Sequence, residues 1–329
     1  AAFAGELSVR AQEPAAFLRW AAPRAPSAYA VALDGPLRLS ARITAAPDRV
    51  SAENLQVSLG AARLTGTASI AYATPARLAL ALTLDGFDLD PLIAAAHEAV
   101  RIAGSDAAEG SVAIDGRNLR LSGLPMGTLG LTATGAGGTW SVSRLALEDF
   151  AGLRLSGSGR FTHLSSPVAG ELSLQVVGPQ ADGLAPLGRI VAGSEAADML
   201  GRLKPIAAPV ALATTSRWNA DGSSQVTADG SLGLLSGRVA IARGRAQAPE
   251  KVDLSIAAED AGRALEAAGL SGLRSGLGAG RLDLTITPGG TGSGAAFDGR
   301  LVLPDASVTG AGRVRFSADG AIDPQVRMR

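Results

Sequence analysis

Arg77 to Ala96 reads RLALALTLDGFDLDPLIAAA, and it decides the fold. Leu78, Leu80, Leu82 and Leu84 alternate with Ala79, Ala81, Thr83 and Asp85. A period of two places the four leucines on one face of a β-strand. Gly86 breaks the alternation, Asp88 or Asp90 can cap a helix, and Pro91 suits a first helical position. Leu92 to Val100 then reads as a short Ala-rich helix. The stretch is a strand with one apolar face, followed by a small helix.

The same unit recurs along the chain. Leu7 to Arg10 alternates, and Glu13-Pro14 opens the helix-like run Ala15 to Trp20. Leu172, Leu174 and Val176 alternate before Gly178-Pro179, and Leu184 to Val191 follows as a helix. Val252, Leu254 and Ile256 alternate, and Glu259-Asp260 leads into the helical Ala261 to Ala268. Leu282, Leu284 and Ile286 start a further copy that meets Pro288-Gly289-Gly290 instead of a helix. Repetition of a whole supersecondary unit points to an extended repeat architecture.

A second element recurs within the units. Leu64-Thr65-Gly66, Leu155-Ser156-Gly157 and Val308-Thr309-Gly310 share an apolar–hydroxyl–glycine core, and Leu235-Ser236-Gly237 is a weaker copy. Glycine inside a strand marks a bulge, a bend or close approach of a neighbouring backbone.

Read in order, the chain divides at 1–22, 23–100, 101–195, 196–270 and 271–329. The first piece is the end of a preceding repeat, the next three are β-repeats with closing helices, and the last is the start of another. Asp34-Gly35-Pro36, Asp115-Gly116, Gly135 to Gly138 and Asn219 to Gly222 read as turns. The glycine-, serine- and leucine-rich run Gly269 to Gly280 reads as a flexible join, and Met199 to Ile206 as a loop or short helix. The expected fold is mainly β: an elongated repeat of antiparallel strands forming a curved, open, groove-like sheet, with a short helix closing each repeat.

Composition narrows the function. Thirty basic and thirty acidic residues give no net charge. Nucleic-acid binding demands a basic face, so that partner is not expected. Strong electrostatic attachment to an anionic membrane is disfavoured for the same reason. There is no cysteine, which removes thiol chemistry and disulfides. No apolar run reaches the length of a membrane-crossing helix. The chain starts and stops within repeat-like sequence, so we expect a section of a longer protein whose anchor lies elsewhere.

Catalytic signatures are missing. The phosphate-cradling loop G-x-x-x-x-G-K-[ST] does not occur, and no glycine cluster follows the strand–GxGxxG–helix order. A G-x-S-x-G elbow is also absent. His97 and His163, the two histidines, would each need partners from far along the chain to build a metal site or triad. Asp85, Asp88 and Asp90 are close enough to suggest calcium, but no bidentate glutamate or EF-hand glycine follows, so helix capping is the better reading. Trp20, Trp140 and Trp218 are scattered, which fits packing better than interfacial anchoring. No cofactor, metal or enzymatic activity is expected.

What remains is the set of apolar strand faces: Leu78, Leu80, Leu82 and Leu84; Leu172, Leu174 and Val176; Val252, Leu254 and Ile256; Leu282, Leu284 and Ile286. Either they pack a sandwich core, or they line a long groove that holds lipid. Alternation shows one apolar face per strand and does not choose between the two. Aromatic residues amount to only 4% of the chain, too few to supply the two girdles of a membrane barrel.

The segment Pro14 to Pro91 resembles the AsmA family of the Gram-negative envelope. The resemblance lies in EPAAFLRWAAPRAP, ENLQVSLGAARLTGTASIAY and TPARLALALTLDGFDLDPL. In that family an apolar–x–glycine strand, a proline-led strand of alternating leucines and a D-L-D-x-L step recur. Here Leu64-Thr65-Gly66, Pro75 to Leu84 and Asp88-Leu89-Asp90-Pro91-Leu92 stand in those places. The later units keep the order but lose the acidic pair. The resemblance implies a periplasmic section of an AsmA- or TamB-like bridge protein, tethered to the inner membrane by a missing N-terminal anchor. It implies phospholipid or another acyl lipid as cargo, an outer-membrane protein as a possible partner, and no catalytic residue. The alternative is a structural, adhesin-like β-repeat scaffold with a dry core.

Overall fold

A computed structural model describes residues 2–16, 35–72, 75–93, 109–163, 167–192, 194–245, 249–267, 277–288, 294–316 and 322–328. Among the described residues strands hold 69% and helices 12%, so the fold is mainly β, with both antiparallel and parallel pairings. The chain divides into two compact units, the first holding Ala1–Phe150 and Arg154–Gly170, the second Ala151–Leu153 and Glu171–Arg329.

In the first unit, β1 (Phe3–Ala11), β2 (Leu37–Ala46), β3 (Arg49–Leu59), β4 (Ala62–Ala71) and β5 (Arg77–Asp85) pair antiparallel in sequence order. β6 (Glu109–Leu121), β7 (Leu124–Ala136) and β8 (Thr139–Phe150) continue as antiparallel neighbours, with β9 (Leu153–His163) beside β8. The joint between β5 and β6 is parallel, with Leu80 beside Val112 and Leu82 beside Ile114. That departs from the antiparallel expectation. A parallel neighbour needs a crossover connection, and the helical turn at 89–93 begins it.

The closing helix starts as its capping residues dictate. Asp88 precedes the first helical residue, and its Oδ1 accepts the Asp90 backbone N–H at 3.0 Å. The helical turn at 14–16 likewise follows Glu13, while the remainder of both expected helices lies outside the described residues. His97, Trp20, and the strand read at Val31 and Leu33 also lie outside them.

One turn signal is not used. Asp115-Gly116 sits inside the continuous strand β6, with Asp115 opposite Gly130. The chain reverses instead at Ser122-Gly123, where both residues have positive φ. Gly116 serves packing: a Cβ there would lie 2.6 Å from Leu119 Cδ1.

Gly66 behaves as its place in the sequence suggests. It has φ +149°, and a Cβ would overlap the carbonyl oxygen of Ala81 on the neighbouring strand. Gly237 takes up the same close approach against the Ser255 carbonyl. Gly157 and Gly310 do not join the glycines of positive φ.

The second unit repeats the pattern. β10 (Ala169–Gly178) neighbours β11 (Val210–Trp218), and β12 (Ser224–Leu232), β13 (Leu235–Arg243), β14 (Pro249–Ala258), β15 (Gly280–Pro288), β16 (Gly294–Leu303), β17 (Ala306–Phe316) and β18 (Ile322–Met328) follow antiparallel. Between β10 and β11 run α1 (Leu184–Ala192) and α2 (Ser194–Leu203), ended by a 3-10 turn at Lys204–Ile206 that contains Pro205. The sequence predicts α1, and the loop or short helix expected over Met199 to Ile206 is the end of α2 and the 3-10 turn. The hairpin turn at Asn219 to Gly222 is present, closed by Asn219 N–H donating to the Ser223 carbonyl at 2.9 Å. Between β14 and β15 lies α3 (Ala261–Ala267), capped by Asp260, whose Oδ1 accepts the Arg263 N–H at 3.1 Å.

Candidate functional site

Strand register assembles the alternating residues into continuous apolar rows. In the first unit Val9, Leu39, Val57, Leu64, Leu84, Gly116, Leu129 and Leu147 stand side by side across β1 to β8. A second row joins Ile43, Ala52, Ala68, Leu80, Val112, Ala133 and Val142. β-Bulges keep the rows aligned. The bulge between Ala52 and Leu55, where Asn54 has φ +50°, returns both to the apolar face.

The second unit has the same design. Leu254 stands between Val239 and Leu284, Val252 between Ile241 and Ile286, and Ile256 between Gly237 and Leu282. Phe297 and Leu301 extend the rows onto β16. Small residues punctuate each row, as Gly299 does opposite Leu284.

Burial varies along these rows. Many of the buried side chains gather at one end of the strands, near the helical segments. In the first unit they include Leu119 at 1% exposure, Met126 at 2% and Phe150 at 0%, with Phe87 and Leu89 where the helix starts. In the second they include Leu184, Ala197, Ile206, Val210 and Ala261. Mid-strand, Ala41 and Ala133 are buried, while most of the larger apolar residues are half-buried. Of the thirteen candidate lining residues, Leu84 and Val176 are buried; Leu78, Leu80, Leu82, Leu172, Leu174, Val252, Leu254, Ile256, Leu282, Leu284 and Ile286 are intermediate. Burying a leucine fully is worth about 1.5–3 kcal/mol. A face of half-buried leucines therefore retains a large drive to cover itself.

The second unit also holds a defined cavity of about 560 Å³. Its floor is the apolar face of β13 to β16, through Leu235, Leu254, Ile256, Leu282 and Leu301. Its walls are α2, through Leu203 and Arg202, and α3, through Ala264 and Leu265. α3 sits close to the sheet because Gly280 carries no side chain; a Cβ there would lie 2.8 Å from the Ala261 Cβ. The volume falls within the range of about 300–1,000 Å³ typical of small-ligand sites. Three of the residues expected from the sequence, Leu254, Ile256 and Leu282, therefore meet in one cavity. Val252, Leu284 and Ile286 continue the same face beyond it. Leu78 to Leu84 belong to the face of the first unit, and Leu172, Leu174 and Val176 to β10. The contributions of α2 and α3 could not be read locally, because nothing in their sequence says which strands they cover.

The opposite face is polar and internally paired. Arg281 holds Asp283 at 3.0 Å, and the Ser255 hydroxyl donates to the same carboxylate at 2.6 Å. The Ser255 hydrogen bond, then that of Arg281, keeps Asp283 below the usual carboxylate range. Asp253 is held down by Lys251 and by the Thr285 hydroxyl, which donates at 2.8 Å. β14 and β15 thus each have an apolar side and a charged side.

The acidic trio near Gly86 does not converge. Asp85 accepts from Asn118 at 2.8 Å and from Arg117 at 3.1 Å, and those contacts lower its pKa, Asn118 most. Asp88 caps the helix, and Asp90 accepts the Ser122 backbone N–H at 2.9 Å. Among the described residues no group of three or more metal-ligating side chains is assembled. Trp140 is a packing residue, 8% exposed, its indole lying over Gly135. Among the described residues no helix is long and apolar enough to cross a membrane.

Compared with known proteins, the chain matches no family model, no curated protein and no solved structure.

Proposed function

We propose that this chain is a non-enzymatic section of a lipid-transfer protein, similar to the AsmA family, that shields acyl chains on the apolar face of its sheet. The observation that carries the reading is the half-buried state of the leucine rows, together with the apolar cavity floored by Leu254, Ile256 and Leu282. A dry-core scaffold would cover those residues with a second layer. An acyl chain laid along the row supplies that cover, each buried methylene contributing about 0.8 kcal/mol. The cargo on this reading is phospholipid or another acyl lipid, moved toward or kept in balance with the outer membrane. The setting is the periplasm of a Gram-negative bacterium, with an inner-membrane anchor outside this chain and an outer-membrane protein as a possible partner.

Site-specific photo-crosslinking in a Gram-negative host tests the proposal. A photoreactive residue in place of Leu254 should capture lipid, and one in place of Arg238, on the charged face, should not. Equal labelling at both positions, or none at Leu254, would refute it.

A further inference from the structure

The cavity between α2, α3 and the sheet has a mouth with its own chemistry. Of the residues that line it, two are charged: Asp198 and Arg202. They lie four positions apart on α2 and so share one side of that helix. Both are exposed. Some charges elsewhere in this unit are matched, as in Arg281–Asp283 at 3.0 Å, Arg217–Glu171 at 3.0 Å and Lys204–Asp182 at 2.5 Å, while others, such as Arg263 and Glu266, form no ion pair among the described residues. Among the described residues Asp198 and Arg202 form no ion pair, with each other or with a third group. One exposed cation and one exposed anion thus join an otherwise apolar cavity lining.

We infer that the cavity accepts the chain of a zwitterionic amphiphile, with the Arg202 guanidinium meeting its phosphate and Asp198 its ammonium group. This rests on the lipid reading above and adds the headgroup class to it. A purely anionic headgroup would satisfy Arg202 but bring its charge beside the Asp198 carboxylate. A neutral headgroup would leave both rim charges unpartnered. A zwitterion complements both, and its two charges are separated on the same scale as residues one helical turn apart. The chain below the headgroup would run over Leu254, Leu282 and Leu301.

The test is equilibrium binding of single-chain probes to the full chain by titration calorimetry, below their micelle concentrations. The probes are dodecylphosphocholine, dodecyl sulfate and dodecyl maltoside, which share one chain and differ in headgroup. Dodecylphosphocholine should bind tightest. Arg202→Gln and Asp198→Asn should each weaken it by about threefold to fivefold, the scale of an exposed ion pair, and leave dodecyl maltoside unchanged. Leu282→Asp should abolish binding of all three. If the three probes bind equally and the rim variants change none of them, the headgroup inference is overturned while the lipid reading stands. Tighter binding of dodecyl sulfate, increased further by Asp198→Asn, overturns it in favour of an anionic ligand. If no probe binds the unaltered chain, the lipid reading itself fails.

Discussion

Leu254 and Leu284 stand directly opposite each other across the β14–β15 ladder, and both are only half-buried. In a packed β-sandwich such a mid-strand pair would be the driest part of the molecule. Here the four most deeply buried large side chains, Phe150, Leu119, Met126 and Leu153, lie instead near one end of their strands. If the leucine face is a lining, it differs from the buried residues in its energetic signature. Leu119→Ala should cost about 2–5 kcal/mol of unfolding free energy, as expected for a fully buried leucine. Leu284→Ala should cost no more than about 1 kcal/mol, since it vacates no enclosed volume. Urea unfolding of the two variants measures the contrast; equal losses would make the leucine face a core.

The strand-crossing glycines predict a backbone effect. Gly66→Ala forces a methyl group into the Ala81 carbonyl at φ +149°. It should destabilise the protein by about 1–3 kcal/mol. Gly123→Ala should cost less, because a Cβ at that turn meets nothing within 4 Å. The difference between the two melting temperatures checks this.

The helix cap at Asp88 is testable by itself. Asp88→Ala removes the acceptor for the Asp90 N–H and should cost about 1 kcal/mol. Asp88→Asn retains an acceptor oxygen and should recover most of it. Denaturation of the pair separates a capping role from a metal-binding one, since calcium should alter neither curve.

Four carboxylates with lowered pKa values predict an acid limb of stability. Asp85, Asp221, Asp253 and Asp283 all have pKa values lowered from 3.8 in the folded protein. A carboxylate whose folded pKa is depressed stabilises the fold above its unfolded pKa. That contribution disappears as pH falls through the lower, folded value. The urea midpoint should therefore hold steady between about pH 7 and 5 and drop below about pH 4. Asp283→Asn should flatten that drop; a limb just as steep in the variant would remove Asp283 from the account.

The local part of this architecture was legible in the sequence. The alternation in Leu78 to Leu84 and in Leu282 to Ile286 defines strands and their apolar faces. Asp88 and Asp260 mark helix starts through their capping oxygens. What was not legible is non-local. The parallel β5–β6 pairing depends on where a crossover deposits the next strand, and Leu80 carries no mark of Val112 as its neighbour. The Asp115-Gly116 signal failed because Gly116 is needed to admit the Leu119 side chain, so packing overrode turn preference. The helical walls of the cavity, and the rim residues Asp198 and Arg202, appear only once α2 and α3 are set on the sheet.

The most direct test of the lipid account is native mass spectrometry of the purified chain, with extraction and identification of bound lipid. The account predicts copurified phospholipid that is lost in Leu254→Asp while the variant remains folded by circular dichroism. A clean unliganded mass, unchanged after incubation with phospholipid liposomes, would contradict it and favour a β-repeat scaffold.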